Sequence, residues 1–149
     1  MTPSLPADLA ERPHDLRYGV PVPFACQPDD GTGDLGEVVK KRVVQCALSR
    51  ICGLCGISLS YGVTFLGSPE EAEANLFHFP PLHRACAEAA LDLYPPLGVP
   101  VLGQQLVLHE WAMVVTGGFE LVRPESREGD MRMAFRMNSA TEDVRVATG

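Results

Sequence analysis

The sequence predicts an α+β fold. A small metal-holding core of knuckle, β-hairpin and helix is joined by an added N-terminal helix and a C-terminal antiparallel β-sheet. Three observations predict it. "CGLC" at 52–55 and "HRAC" at 83–86 bracket a stretch with strand alternation. A run with helical spacing precedes the first pair, and the last third alternates apolar and polar positions between glycine turns.

The bulk numbers fit such a fold. The chain has 149 residues, 46% hydrophobic and 21% charged, enough for one modest core. Its formal charge is −7, and Lys40 and Lys41 are its only lysines. An acidic chain lacks the Lys/Arg surplus that drives binding to phosphate backbones, which argues against a nucleic-acid partner. "MTPSLPADLAERPHDL" lacks the apolar run of a secretory signal, and no later run is long enough to span a bilayer. The expected setting is therefore cytoplasmic and away from membranes. There, Cys26, Cys46, Cys52, Cys55 and Cys86 suggest metal or reactive thiol before disulfide.

Residues 1–35 read as an extended or partly disordered arm, and 36–149 as a single domain. Within that domain the metal core spans about 50–96 and the β part about 100–140. "VPVPFAC", 20–26, is extended by its prolines and reads as an edge strand. "QPDDGTGD", 27–34, has turn chemistry and reads as a mobile loop. In 36–50, Val39, Val43, Cys46 and Arg50 follow the helical step, while Lys40, Lys41 and Arg42 cluster off that face. With Arg50 and Arg84 that cluster reads as a solvated face or a local positive patch. "ISLSYGVTFLG", 57–67, alternates around Gly62 and reads as two short strands.

Ser68 followed by Pro69, Glu70 and Glu71 opens a short helix. A further helix runs from about 83 to 94 between two Pro-Pro pairs. "QLVLHEWAMVV", "TGG" and "FELVRP" read as a β-hairpin. "MRMAFRM", 131–137, puts Met131, Met133, Phe135 and Met137 on one side of a strand, a stripe that reads as core. Left exposed, the stripe would make a partner-binding or homodimer face of the C-terminal sheet. "NSATEDVRV" reads as a last short helix or a tail.

The two pairs carry the chemistry. Cys52-x2-Cys55 and His83-x2-Cys86 are separated by twenty-seven residues, and together they form a Cys3His set. Gly53 and Gly56 let the backbone curl so that amides point at the thiolates. His83 and Cys86 share the first turn of a helix, whose free N–H groups favour thiolate. Knuckle, hairpin and two ligands at a helix start describe a treble clef, and tetrahedral Zn2+ accepts this spacing. The contrary reading makes Cys52 and Cys55 a redox pair, but the βαβ context of such pairs is missing.

"CGLCG…PPLHRACAEAALDLYPPLG", with "WAMVVTGGFELVRP" downstream, resembles a group of small zinc proteins of actinobacteria and their phages. The resemblance covers roughly 50–123 and carries their ligands onto Cys52, Cys55, His83 and Cys86. Tyr94 departs from it, standing where the group often has a cysteine.

No phosphate loop, nucleophile elbow, Ser–His–Asp signature or HExxH is present. Two functions follow. One is a zinc module with a closed, structural site that binds a protein partner or acts in regulation. The other is a small enzyme of specialised metabolism acting on a small molecule, with a pocket between the zinc core and the C-terminal sheet. Its acid–base candidates by residue type are Tyr61, His78, His109 and Glu110. Cys26 and Cys46 read as buried small hydrophobes and Trp111 as core.

Overall fold

In a computed structural model of the chain, residues 7–29, 35–124 and 132–148 are described. Met131 and most of the loop expected to be mobile lie outside them. The structure is mixed α+β with two antiparallel sheets. Among the described residues four α-helices, α1 (Ala7–Ala10), α2 (Lys40–Ser49), α3 (Pro69–Ala74) and α4 (Arg84–Leu93), accompany five strands. These are β1 (Val63–Gly67), β2 (Glu110–Thr116), β3 (Phe119–Val122), β4 (Ala134–Met137) and β5 (Glu142–Ala147).

Part of the N-terminal segment, expected as an arm, contributes to the core. Leu9, Val22, Ala25 and Cys26 are buried in the same cluster as Cys52 and Leu54. Residues 20–26 are not the expected edge strand. Pro21 and Pro23 have no N–H to give a ladder, and Phe24–Cys26 instead winds into a 3-10 turn. That turn grips the knuckle, with the amides of Phe24 and Ala25 donating to the carbonyls of Leu54 (3.0 Å) and Gly53 (2.9 Å). α2 starts at Lys40 rather than at 36, because Val39 stays extended and donates its N–H to Ala25 O at 2.7 Å.

Between the two ligand pairs the expected hairpin is absent. Only its second half is a strand, β1, followed by α3. Residues 57–62 are fastened elsewhere, with Leu59 N donating to Arg50 O (2.7 Å) and Gly62 turning at φ +84°. α3 opens as expected, with Ser68 and Glu71 capping each other reciprocally and Pro69 in the first turn. α4 follows the expected bounds, with His83 at its N-cap and Pro95–Leu97 in a 3-10 turn after it.

The second expected hairpin also fails. β2 and β3 belong to different sheets, ordered β1-β2-β5 and β3-β4. Both edges of β2 are occupied by β1 and β5, and the Thr116 hydroxyl bonds Gly118 to turn the chain away. The stretch expected as a last short helix or a tail leads into β5. Its residues 142, 144 and 146 register against Val115, Met113 and Trp111. The acidic run masked this alternation.

β2 is thus a central strand with a core on each face. Trp111 and Met113 pack with Leu66, the cysteines, Ala87, Ala90 and Tyr94. Ala112 and Val114 face Phe65, Phe77, Val43 and the buried Met133, Phe135 and Met137 of the second sheet. The described members of the methionine stripe, Met133, Phe135 and Met137, are core. Among the described residues no helix is long and apolar enough to cross a membrane.

Candidate metal centre

The structure brings Cys52, Cys55, His83 and Cys86 together. One ligand atom from each lies within 4.8 Å of all the others, and the three cysteines are buried. Tight turns position the first pair. Gly56 N donates to Cys52 O (3.0 Å) and Cys52 N to Ile57 O (2.9 Å). Gly56 adopts φ +79°, a left-handed conformation that a side chain resists. Gly53 lies so close to Pro80 that a Cβ there would meet the proline Cβ at 3.0 Å. Its N–H donates to Pro81 O (2.9 Å), which joins the knuckle to the segment leading into α4.

His83 is held from behind. Its Nε2 lies 3.0 Å from Ser58 O, so that nitrogen carries the proton and donates to the carbonyl. Nδ1 is left with its lone pair toward the sulfurs, at 3.4 Å from Cys55 Sγ and 3.8 Å from Cys86 Sγ. A backbone acceptor behind a ligating imidazole is the usual way a metal site fixes its tautomer. Loop 57–62 therefore serves the centre with a carbonyl rather than with a strand.

The electrostatics favour shared anionic sulfur. Burial disfavours a thiolate at Cys52, yet hydrogen bonds from the Cys55 and Cys86 thiols and from backbone N–H groups outweigh it. The Cys52 pKa is held well below its ordinary value. The Leu54 amide adds a donor at 3.4 Å. Cys86 is pushed the other way by its hydrogen bonds to Cys52 and Cys55, and by burial. A cation at the centre of the set is the chemical partner that would let all three ionise.

Cys46 and Cys26 stay outside this group, both buried. Burial drives the Cys46 thiol up to about 12, which makes it inert. Most of the basic residues have partners of their own. Arg42 lies over the Phe24 ring at 4.7 Å, Arg50 over Phe119 at 5.3 Å, and Lys41 pairs with Asp29. Arg84 pairs with Glu88 and Glu142.

The acid–base candidates are scattered. Tyr61, His109 and Glu110 are exposed. His78 instead belongs to a buried cluster centred on Glu71, the principal residue that sequence reasoning missed. The Glu71 carboxylate accepts from Ser68 N (2.8 Å), His78 N (2.9 Å), His78 Nδ1 (2.8 Å) and Gln104 Nε2 (2.6 Å). Burial would raise its pKa, but the bonds from His78, Ser68 and Gln104 prevail and lower it. The reciprocal cap in S-x-x-E was the available signal. Tyr94, the departure from the resemblance, is buried and donates its hydroxyl to Pro21 O at 2.6 Å.

A cavity of about 560 Å3 lies apart from the metal centre, lined in part by Asp15, Arg17, Tyr18, Glu37, Gln104 and Arg132. None of Tyr61, His78, His109 or Glu110 is among its described lining residues. Compared with protein-family models, curated proteins and solved structures, the chain finds no match.

Proposed function

We propose that Cys52, Cys55, His83 and Cys86 hold a structural Zn2+, and that the chain is a cytoplasmic protein-interaction or regulatory module built on that centre. The observation that carries this is the ligand geometry. A tetrahedral zinc with bonds of roughly 2.3 Å to sulfur and 2.0 Å to nitrogen separates sulfur from nitrogen by about 3.5 Å. The Cys55–His83 and Cys86–His83 separations are 3.4 and 3.8 Å. Four protein ligands leave no open position for water or substrate, which is the pattern of structural zinc. A knuckle followed by ligands at a helix start supports kinship with treble clefs despite the missing hairpin. The same motif supports membership in the small zinc proteins of actinobacteria and their phages.

Metal analysis of the purified chain tests this. One zinc per chain is expected, and Co2+ in its place should give the visible bands of a tetrahedral thiolate site. A chain that purifies without stoichiometric metal and refuses Co2+ would overturn the proposal. A second reading, a small enzyme of specialised metabolism, draws on the 560 Å3 cavity, with its two arginines and two carboxylates. It moves the site away from the seam between metal core and C-terminal sheet.

A further inference from the structure

β5 is the outer strand of its sheet. Its inner edge pairs with β2, and among the described residues no strand pairs with its outer edge. The register fixes which backbone groups face outward. Thr148 N donates to His109 O in line with the β2–β5 register, so residues 142, 144 and 146 turn their N–H and C=O groups toward β2. The corresponding groups of Asp143, Arg145 and Ala147 point away from it. Among the described residues the hydrogen-bonding edge of the three-stranded sheet is therefore open at Asp143 and Arg145.

We infer that this edge pairs antiparallel with the β5 edge of a second copy of the chain, giving a two-fold dimer with a continuous six-stranded sheet. The charge pattern selects that occupant. Paired residues across an antiparallel two-fold sum to a constant, and the outward residues are odd-numbered, so only even sums bond. Two registers overlap five of the six strand residues. One sets Arg145 against Arg145 of the second copy, a like-charge pair that is disfavoured. The other sets Asp143 against Arg145 of the second copy, twice by symmetry, each within a hydrogen-bonded pair. Asp143 and Arg145 already form an ion pair along the strand, so they share one face and are placed to re-pair across the axis.

The other face agrees with this register. Val144 opposes its own copy at the axis, in the closer non-hydrogen-bonded position. It is 36% exposed and sits beside buried Met113. Glu142 would face Val146 of the second copy, and its charge is already met by Arg84 at 2.8 Å. Edges that avoid pairing carry inward-pointing charges, prolines or lysines of one sign. β5 carries both signs in a self-complementary order. The inference is independent of which ion the metal centre holds.

Sedimentation equilibrium of the full, metal-loaded chain tests it. Loading from about 1 μM to about 1 mM should show a reversible monomer–dimer equilibrium, as befits a small interface. Asp143→Arg or Arg145→Asp alone turns both symmetric pairs into repulsions and should weaken the dimer at least about tenfold. The double swap Asp143→Arg/Arg145→Asp restores opposite charges and should return the affinity to within about threefold of the original. These side chains are on the outer strand, so unchanged circular dichroism is expected throughout. A chain that stays monomeric over the whole range overturns the inference, and leaves the edge to a strand from another protein. Dimers indifferent to the single swaps, or not restored by the double swap, overturn it as well.

Discussion

The two faces of β2 look onto cores of different character. On one side, Trp111 and Met113 belong to a cluster with four cysteines, small alanines of α4 and the N-terminal segment. On the other, Ala112 and Val114 meet a cluster in which Phe65 lies 5.4 to 5.8 Å from Phe77, Phe119 and Phe135. Aromatic rings in edge and offset contact hold themselves together by area and geometry. Thiols clustered within 4.8 Å do not, because deprotonated they repel and protonated they leave little apolar surface. One core is built on aromatic rings; the other surrounds a Cys3His group that could hold a metal ion.

The largest expected effect separates these two cores. Removing the metal with a strong chelator, or replacing Cys55 by Ser, should melt the metal-side core. Ligand binding free energy becomes folding free energy in such sites, on the order of 10 kcal/mol at neutral pH. A large loss of helical circular dichroism, from α4 above all, is the readout. A metal-free chain with its full helix content and near-native melting would show that both cores are self-sufficient.

The converse substitution is Phe135→Ala. Phe135 is fully buried and contacts both Phe65 and Phe119. Its loss should cost about 3–5 kcal/mol by cavity formation. Metal stoichiometry should stay unchanged, because no ligand belongs to that cluster. Metal analysis alongside denaturant unfolding checks both halves. Loss of metal in this variant would mean that the two cores fail together.

The same contrast explains what could be read in the sequence. The centre was legible because Cys-x2-Cys and His-x2-Cys are local patterns tied to local shapes, a glycine knuckle and a helix start. Helices α3 and α4 were legible because Ser68, Pro69 and the flanking prolines mark their ends. Pairing was not, because it is set between distant residues. "TGG" invites a hairpin, yet β1 and β5 occupy both edges of β2 and exclude β3. β5 hid behind Glu142 and Asp143, whose acidity lowers strand propensity although its even-numbered residues align with Trp111 and Met113. The packing of the N-terminal segment was hidden for a similar reason. Its few apolar residues, Leu9 and Val22 among them, gain their partners only when the knuckle is folded.

A third effect lies where the metal-side segment meets the C-terminal part. Glu71 ties α3 to His78 and to Gln104. Its folded-state pKa is below the ordinary carboxylate value, so its contribution is fully present above the unfolded pKa of about 4.3. That contribution is lost as pH falls through the lower folded value. Glu71→Gln should cost about 1–3 kcal/mol at neutral pH, since the two donors on one carboxylate oxygen would face an amide NH2 instead of an acceptor in a buried place. The difference from wild type should begin to shrink below about pH 4.3, where the unfolded carboxylate takes up its proton, and go on shrinking as pH falls toward the lower folded value. A difference that stays constant from pH 7 to pH 3 would assign the loss to packing instead. Acid also displaces metal by protonating ligands, so the comparison must be made between the two proteins at each pH.

The smallest effect concerns Tyr94, where the proposed kinship leads one to expect a cysteine. A cysteine there would invite a role in the metal centre. The structure gives the tyrosine another task, because its ring is buried at the end of α4 and its hydroxyl donates to Pro21 O at 2.6 Å. The bond fastens the helix that bears Cys86 to the segment that grips the knuckle. Tyr94→Phe keeps the ring and its packing but leaves the Pro21 carbonyl unpaired. A cost of about 1 kcal/mol is expected, the net worth of one buried hydrogen bond. Metal content should be unchanged and metal affinity nearly so, because the four candidate ligands and the Ser58 carbonyl behind His83 are untouched. A Tyr94→Phe chain that loses its metal would place residue 94 within the centre's machinery, and would erase the distinction between the residues that bind the ion and those that only close the core around it.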